Sequence, residues 1–187
     1  MKDMKKFSKL YLRWGIKCLL AAVILSVIIL FTIPVRISKQ YNCIEIRLND
    51  PSYCKKSVLV LNGEYYLNLF RGSCFDGEMT VSSFPETSKG RIKVILSDDG
   101  AAMYYKRTDE NLEEEFALGS LVSKSFFSKF AILVYSDNVP PEHIAWKTSG
   151  GWGAWNDRSG YCIIPNCSDH KSAVQVLQSL GILPSDE

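Results

Sequence analysis

The residues of this 187-residue chain best suited to covalent or metal chemistry are its six cysteines and two histidines, His143 and His170. Cys162, Cys167 and His170 lie close together near the C-terminus. A thiol within hydrogen-bond reach of an imidazole is a nucleophile with its own base, so Cys162 and His170 are the catalytic candidates. The simpler reading of the same residues is a surface histidine at a helix start, beside cysteines that are buried or bridged. The spacing C-x4-C-x2-H offers zinc three ligands at most and falls outside the commoner finger patterns, so no metal site is expected. The chain has no G-x-S-x-G elbow, no H-E-x-x-H, no phosphate loop ending in G-K-[ST] and no G-x-G-x-x-G turn. Hydrolase, zincin, NTPase and dinucleotide readings lose their usual support, and no cofactor is expected.

A second constellation runs from Trp146 to Arg158, where Trp146, Trp152 and Trp155 stand among glycines and Asp157 follows. Exposed, these rings would make a platform for a sugar, a peptide or a partner protein. Buried, they anchor a core while the glycines shape bulges and a turn. The acidic run Thr108 to Glu115 lacks the order of a calcium loop and reads as a solvated loop or a single helical turn.

Five cysteines follow residue 36, so at most two bridges form within that part and one thiol is left over. Cys162 with Cys167, and Cys43 with Cys54 across the probable turn Asn49-Asp50-Pro51, are the candidate disulfides. In a reducing habitat all would stay free.

The elements that must position these residues divide sharply. Cys18 to Val35 carries no charge and is dominated by Leu, Ile, Val and Ala. Extended by Trp14, Gly15 and Ile16, it approaches the 20 or so apolar residues needed to cross about 30 Å of hydrocarbon. Residues 1–17 hold six of the 22 Lys and Arg and one of the 20 Asp and Glu, leaving sixteen basic and nineteen acidic residues for the rest. That asymmetry predicts a cytoplasmic N-terminus. The run is longer than a signal-peptide core and lacks an A-x-A-like exit, so a retained single-pass signal-anchor at the cell membrane is expected rather than a cleaved leader. The expected organisation is a basic cytoplasmic tail over 1–13, a transmembrane helix over 14–35, a stalk over 36–41 and an extracytoplasmic β-rich domain over 42–187. The basic tail suits membrane lipid, and the acidic remainder suits no nucleic acid.

Beyond the stalk, short runs rich in β-branched and aromatic residues recur between turn residues: 43–48, 57–61, 64–70, 77–84, 91–96, 101–106, 116–122 and 129–135. Asn62-Gly63 and Asp99-Gly100 read as two-residue hairpin turns. Ala131 to Val134 is apolar throughout and predicts a strand covered on both faces. Ser168 or Asp169 as N-cap, a stripe from Ala173 to Leu180 and Gly181 predict one closing helix. The expected fold is mainly β (α+β): an antiparallel meander forming a curved sheet, a partly open barrel or a sandwich, with one C-terminal helix.

Two blocks, Leu61-Asn-Gly-Glu-Tyr-Tyr through Phe75-Asp-Gly-Glu-Met-Thr-Val81 and Gly153-Ala-Trp-Asn-Asp-Arg-Ser-Gly-Tyr-Cys-Ile-Ile-Pro165 with the helix after it, resemble a loose group of uncharacterised small single-span membrane-anchored proteins of Gram-positive bacteria. The resemblance implies topology and a bacterial origin and assigns no activity. The expected function is a membrane-tethered binding or interaction domain for a protein, peptide or envelope component, without a reaction centre. The enzymatic alternative is a sortase-like Cys-His transpeptidase or hydrolase, although Tyr161-Cys-Ile-Ile-Pro-Asn-Cys167 does not match that family's TLxTC-like motif. A third alternative is a structural accessory subunit of a membrane complex.

Overall fold

A computed structural model describes residues 2–67, 72–97, 99–109, 112–124, 127–148, 153–156 and 160–184. A helix, α1 (Lys2–Thr32), leads into eight antiparallel strands, and a short helix, α2 (His170–Ser179), closes the chain. The strands are β1 (Val35–Arg47), β2 (Asp50–Tyr66), β3 (Cys74–Val81), β4 (Arg91–Ile95), β5 (Ala101–Asp109), β6 (Leu112–Lys124), β7 (Lys129–Val134) and β8 (Tyr161–Pro165). Each pairs with the next, and β8 pairs back onto β1, so the sheet closes into a barrel with no free edge. Eight strands leave an interior just wide enough for side chains to fill. Leu59, Leu61, Phe75, Met79, Tyr105 and Phe116 fill it and are fully buried.

Several expectations about these elements need correction. Among the described residues no helix is long and apolar enough to cross a membrane. The transmembrane, single-pass and signal-anchor reading therefore does not hold, nor does the cell-membrane placement with an inner N-terminus and an outer domain. The expected stalk at 36–41 belongs to β1, with Ile37 and Tyr41 already buried inside the barrel.

Asn62-Gly63 is not a turn. Both residues lie within β2, where Asn62 opposes Ser38 and Glu78, and Gly63 opposes Ile37 and Gly77. A two-residue turn there would pair Leu61 with Glu64 and send the carboxylate inward. The continuous strand keeps period two instead, burying Leu59, Leu61 and Tyr65. Gly63 permits a close strand crossing: a Cβ on it would lie 2.5 Å from the Asp76 carbonyl oxygen and 2.7 Å from the Gly77 Cα. Asp99-Gly100 does lie between β4 and β5, with Gly100 at φ +89°. The described residues of the acidic run, 108–109 and 112–115, belong to β5 and β6, where Lys106 pairs with Glu113 at 2.9 Å and Arg107 with Glu114 at 2.7 Å. Opposite charges across the ladder make a strand of what reads alone as a loop.

β7 lies between β6 and β8 with both faces covered. Phe130, Ile132 and Val134 face the interior, while Ala131 and Leu133 join Ile44, Ile46, Cys162 and Ile164 beneath Ala173, Leu177 and Leu180 of α2. Asp169 caps α2 by accepting from the Ser172 N–H at 2.8 Å, and the Ser172 hydroxyl accepts from the Asp169 N–H. Gly181 follows at φ +79°.

Candidate functional site

The two ends of the barrel differ in chemistry. At the end reached by the β6–β7 connection, the Phe127 ring meets Phe130, Phe75 and Tyr65 at centroid distances of 5.3, 5.8 and 6.4 Å. This aromatic plug closes the interior there. The opposite end, at the β1–β2 turn, is polar. Alternation along β1 sends Tyr41, Cys43 and Glu45 inward and Ile44 and Ile46 outward. Glu45 is fully buried. A carboxylate without water must be satisfied by the protein. Ser83 donates to its Oε1, and Tyr161 donates to its Oε2 at 2.5 Å. Lys55 Nζ stands 3.9 Å from Oε2. The Tyr161 hydroxyl also meets that of Tyr53 at 3.1 Å; because the Tyr161 O–H is directed at Glu45, Tyr53 is the donor to Tyr161. Burial first, and then these bonds to Glu45 and Tyr53, push the Tyr161 phenol far above the usual tyrosine range.

Arg47, the last residue of β1, lies over this network. Its guanidinium is 4.6 Å from the Tyr53 ring centroid and 5.8 Å from that of Tyr161, a cation-π arrangement. Among the described residues no carboxylate lies at ion-pairing distance from it. Its main-chain carbonyl meets His170 Nε2 at 3.1 Å, tying the start of α2 to the mouth. Nearby Asp50 is held below the ordinary carboxyl range, chiefly by the Ser52 hydroxyl and least by the charge of Arg47.

Arg47 and Tyr161 open onto a cavity of about 310 Å³. Val134, Val139 and Pro140 supply apolar wall, while Asn49, Ser136 and Asn156 supply polar groups. A concave site with mostly fixed walls and a few convergent polar groups has the form of a small-ligand pocket, at the lower end of the usual size range.

The residues singled out by sequence lie elsewhere. Cys162 is buried beneath α2, its Sγ 3.7 Å from the Gly160 carbonyl, and burial pushes its thiol up to about 12. His170 bonds to Arg47 instead, so Cys162 and His170 do not form a nucleophile and base pair. Every cysteine is free. Cys43 opposes Ser57 and faces inward, whereas Cys54 opposes Ile46 and is exposed, so neither expected bridge forms. Cys43 and Cys167 instead border one cavity of about 510 Å³. Among the described residues no group of three potential ligands could hold a metal ion.

Trp146 packs edge-on against Phe116 at 5.4 Å, donates its indole N–H to Glu86 at 2.6 Å and lies under Arg107 at 4.4 Å. Trp155 packs against the cluster beneath α2 and donates to the Tyr161 carbonyl. These two rings therefore anchor structure and do not form a shared platform. Trp152 and Asp157 lie outside the described residues.

Sequence reasoning passed over Glu45, Arg47, Tyr53 and Tyr161. The signal was in β1, where Glu45 sits between Ile44 and Ile46 in the one stretch of that strand, 43–46, that is buried on both faces. An acid there must be buried or break the pattern. Comparison with protein-family models, with curated proteins and with solved structures finds no match.

Proposed function

We propose that this chain is a binding module whose barrel takes a small ligand at the polar mouth, and that it has no reaction centre of its own. The observation that carries this reading is the guanidinium of Arg47, without an ion-pair partner among the described residues and held over two tyrosine rings at the edge of a cavity. Holding a cation half-buried without an acid costs free energy that a ligand could recover. The network behind it is well satisfied: both oxygens of Glu45 accept hydrogen bonds, so the wall behind the cavity is preorganised. The Cys-His transpeptidase alternative draws less support. A thiol pushed up to about 12 is almost entirely protonated near neutrality, and the thiolate is the nucleophile.

A fragment screen followed by amide NMR of the full chain tests the reading. Bound fragments are expected to move the resonances of Arg47, Ser136 and Tyr161 together. Fragments that bind only at the second cavity, around Cys43 and Cys167, would overturn it. So would turnover of a peptide or ester probe that is lost on Cys162→Ala.

A further inference from the structure

Resting on the reading of the mouth as a ligand site, we infer that its ligand carries a single carboxylate attached to a short apolar body. Three observations converge on this class. Among the described residues the one charged side chain lining the cavity, Arg47, is cationic, and no carboxylate lies at ion-pairing distance from it. A planar guanidinium with a fixed ring beneath it presents its N–H edge for bidentate recognition of a carboxylate. Among the described residues the acids nearest the mouth are otherwise engaged: Glu45 is enclosed by Ser83 and Tyr161, Asp50 accepts from the Ser52 N–H and hydroxyl, and Asp137 accepts from the Gly153 N–H at 2.9 Å. An ammonium ligand would therefore meet Arg47 and no free acid. A phosphate, with two charges, would find one cation where such sites commonly gather several. Val134, Val139 and Pro140 lie beyond the guanidinium and suit hydrocarbon.

The test compares isosteric probes on the full chain: hexanoate, hexanamide and hexylammonium, titrated by amide NMR at low salt. Hexanoate is expected to bind at the mouth roughly tenfold more tightly than hexanamide, as a charge-assisted pair allows. Hexylammonium is expected not to bind there. Added salt should weaken hexanoate and leave hexanamide unchanged. Arg47→Gln should erase the difference between the acid and the amide, while Arg47→Lys should keep part of it. Because the lysine variant and the salt series do not require removal of the cation, the inference stays testable if Arg47→Gln fails to fold. Equal binding of hexanoate and hexanamide at the mouth would overturn the carboxylate class and leave the ligand-site reading standing. No shift at the mouth with any probe would overturn both.

Discussion

Replacing Tyr161 by Phe removes one hydroxyl and tests whether Glu45 is a buried carboxylate held by its donors. Tyr161 donates to Glu45 Oε2 at 2.5 Å, Ser83 holds Oε1, and Lys55 is 3.9 Å away with its side chain 52% exposed, so it is well screened. The variant leaves Oε2 without a close donor. A hydrogen bond to a charged group contributes about 1.5–3 kcal/mol, so the expected loss is about 2 kcal/mol. For a chain of this size that lowers Tm by about 4–8 °C. Glu45→Gln is expected to cost less than about 1 kcal/mol, since it removes the desolvated charge while an amide can still accept from Tyr161 and donate to Ser83. In the Glu45→Gln background Tyr161→Phe should then cost about 1 kcal/mol or less, giving a coupling of at least about 1 kcal/mol in a double-mutant cycle read by urea unfolding. Additive effects of the two substitutions would refute the reasoning, because Tyr161 would then stabilise the fold through its ring alone.

Three other predictions concern the rest of the fold. Burial raises the thiols of Cys43 and Cys162 to about 12 from 9.0, so the folded state holds those protons more tightly; their contribution is complete below pH 9 and is lost as pH rises toward 12. Unfolding followed across that window should show stability falling, less steeply in Cys162→Ser, and a thiol reagent near pH 8 should label exposed Cys54 before either buried thiol; prompt labelling of Cys162 would contradict this. Gly63→Ala should destabilise by about 1–3 kcal/mol through the clash with Asp76 and Gly77, whereas Asn62→Thr should change stability by less than about 0.5 kcal/mol because Asn62 is an exposed strand residue. A large loss with Asn62→Thr in thermal unfolding would restore the turn. Asp169→Ala should cost about 1 kcal/mol as α2 loses its cap, and an unchanged midpoint would count against the capping box.

What was legible depended on whether a signal was local. The cap of α2 is set by Asp169 and Ser172, three residues apart, and the continuous apolar run of β7 requires two covered faces wherever it sits. Both survive folding because neither depends on a distant partner. Asn62-Gly63 is a local signal that tertiary pairing overrode, although the parity of Leu61, Glu64 and Tyr65 already conflicted with a two-residue turn. Barrel closure was beyond reach, since nothing in β1 or β8 alone specifies that Cys43 will oppose Pro165. The mouth was hidden for the same reason: Tyr161 and Glu45 are 116 positions apart. The apolar run near the N-terminus predicted a crossing, whereas among the described residues no helix is long and apolar enough to make one. The Cys-His proximity in sequence misled because β8 turns Cys162 beneath α2 while His170 reaches Arg47.

The most direct measurement follows the Arg47 guanidinium itself, through its side-chain Nε–H resonance, as hexanoate is titrated into the full chain. A saturable shift at Arg47, with the Arg107 signal static because Glu114 already holds it, is the expected result. An Arg47 signal that stays put while the acid binds elsewhere on the barrel would contradict the account.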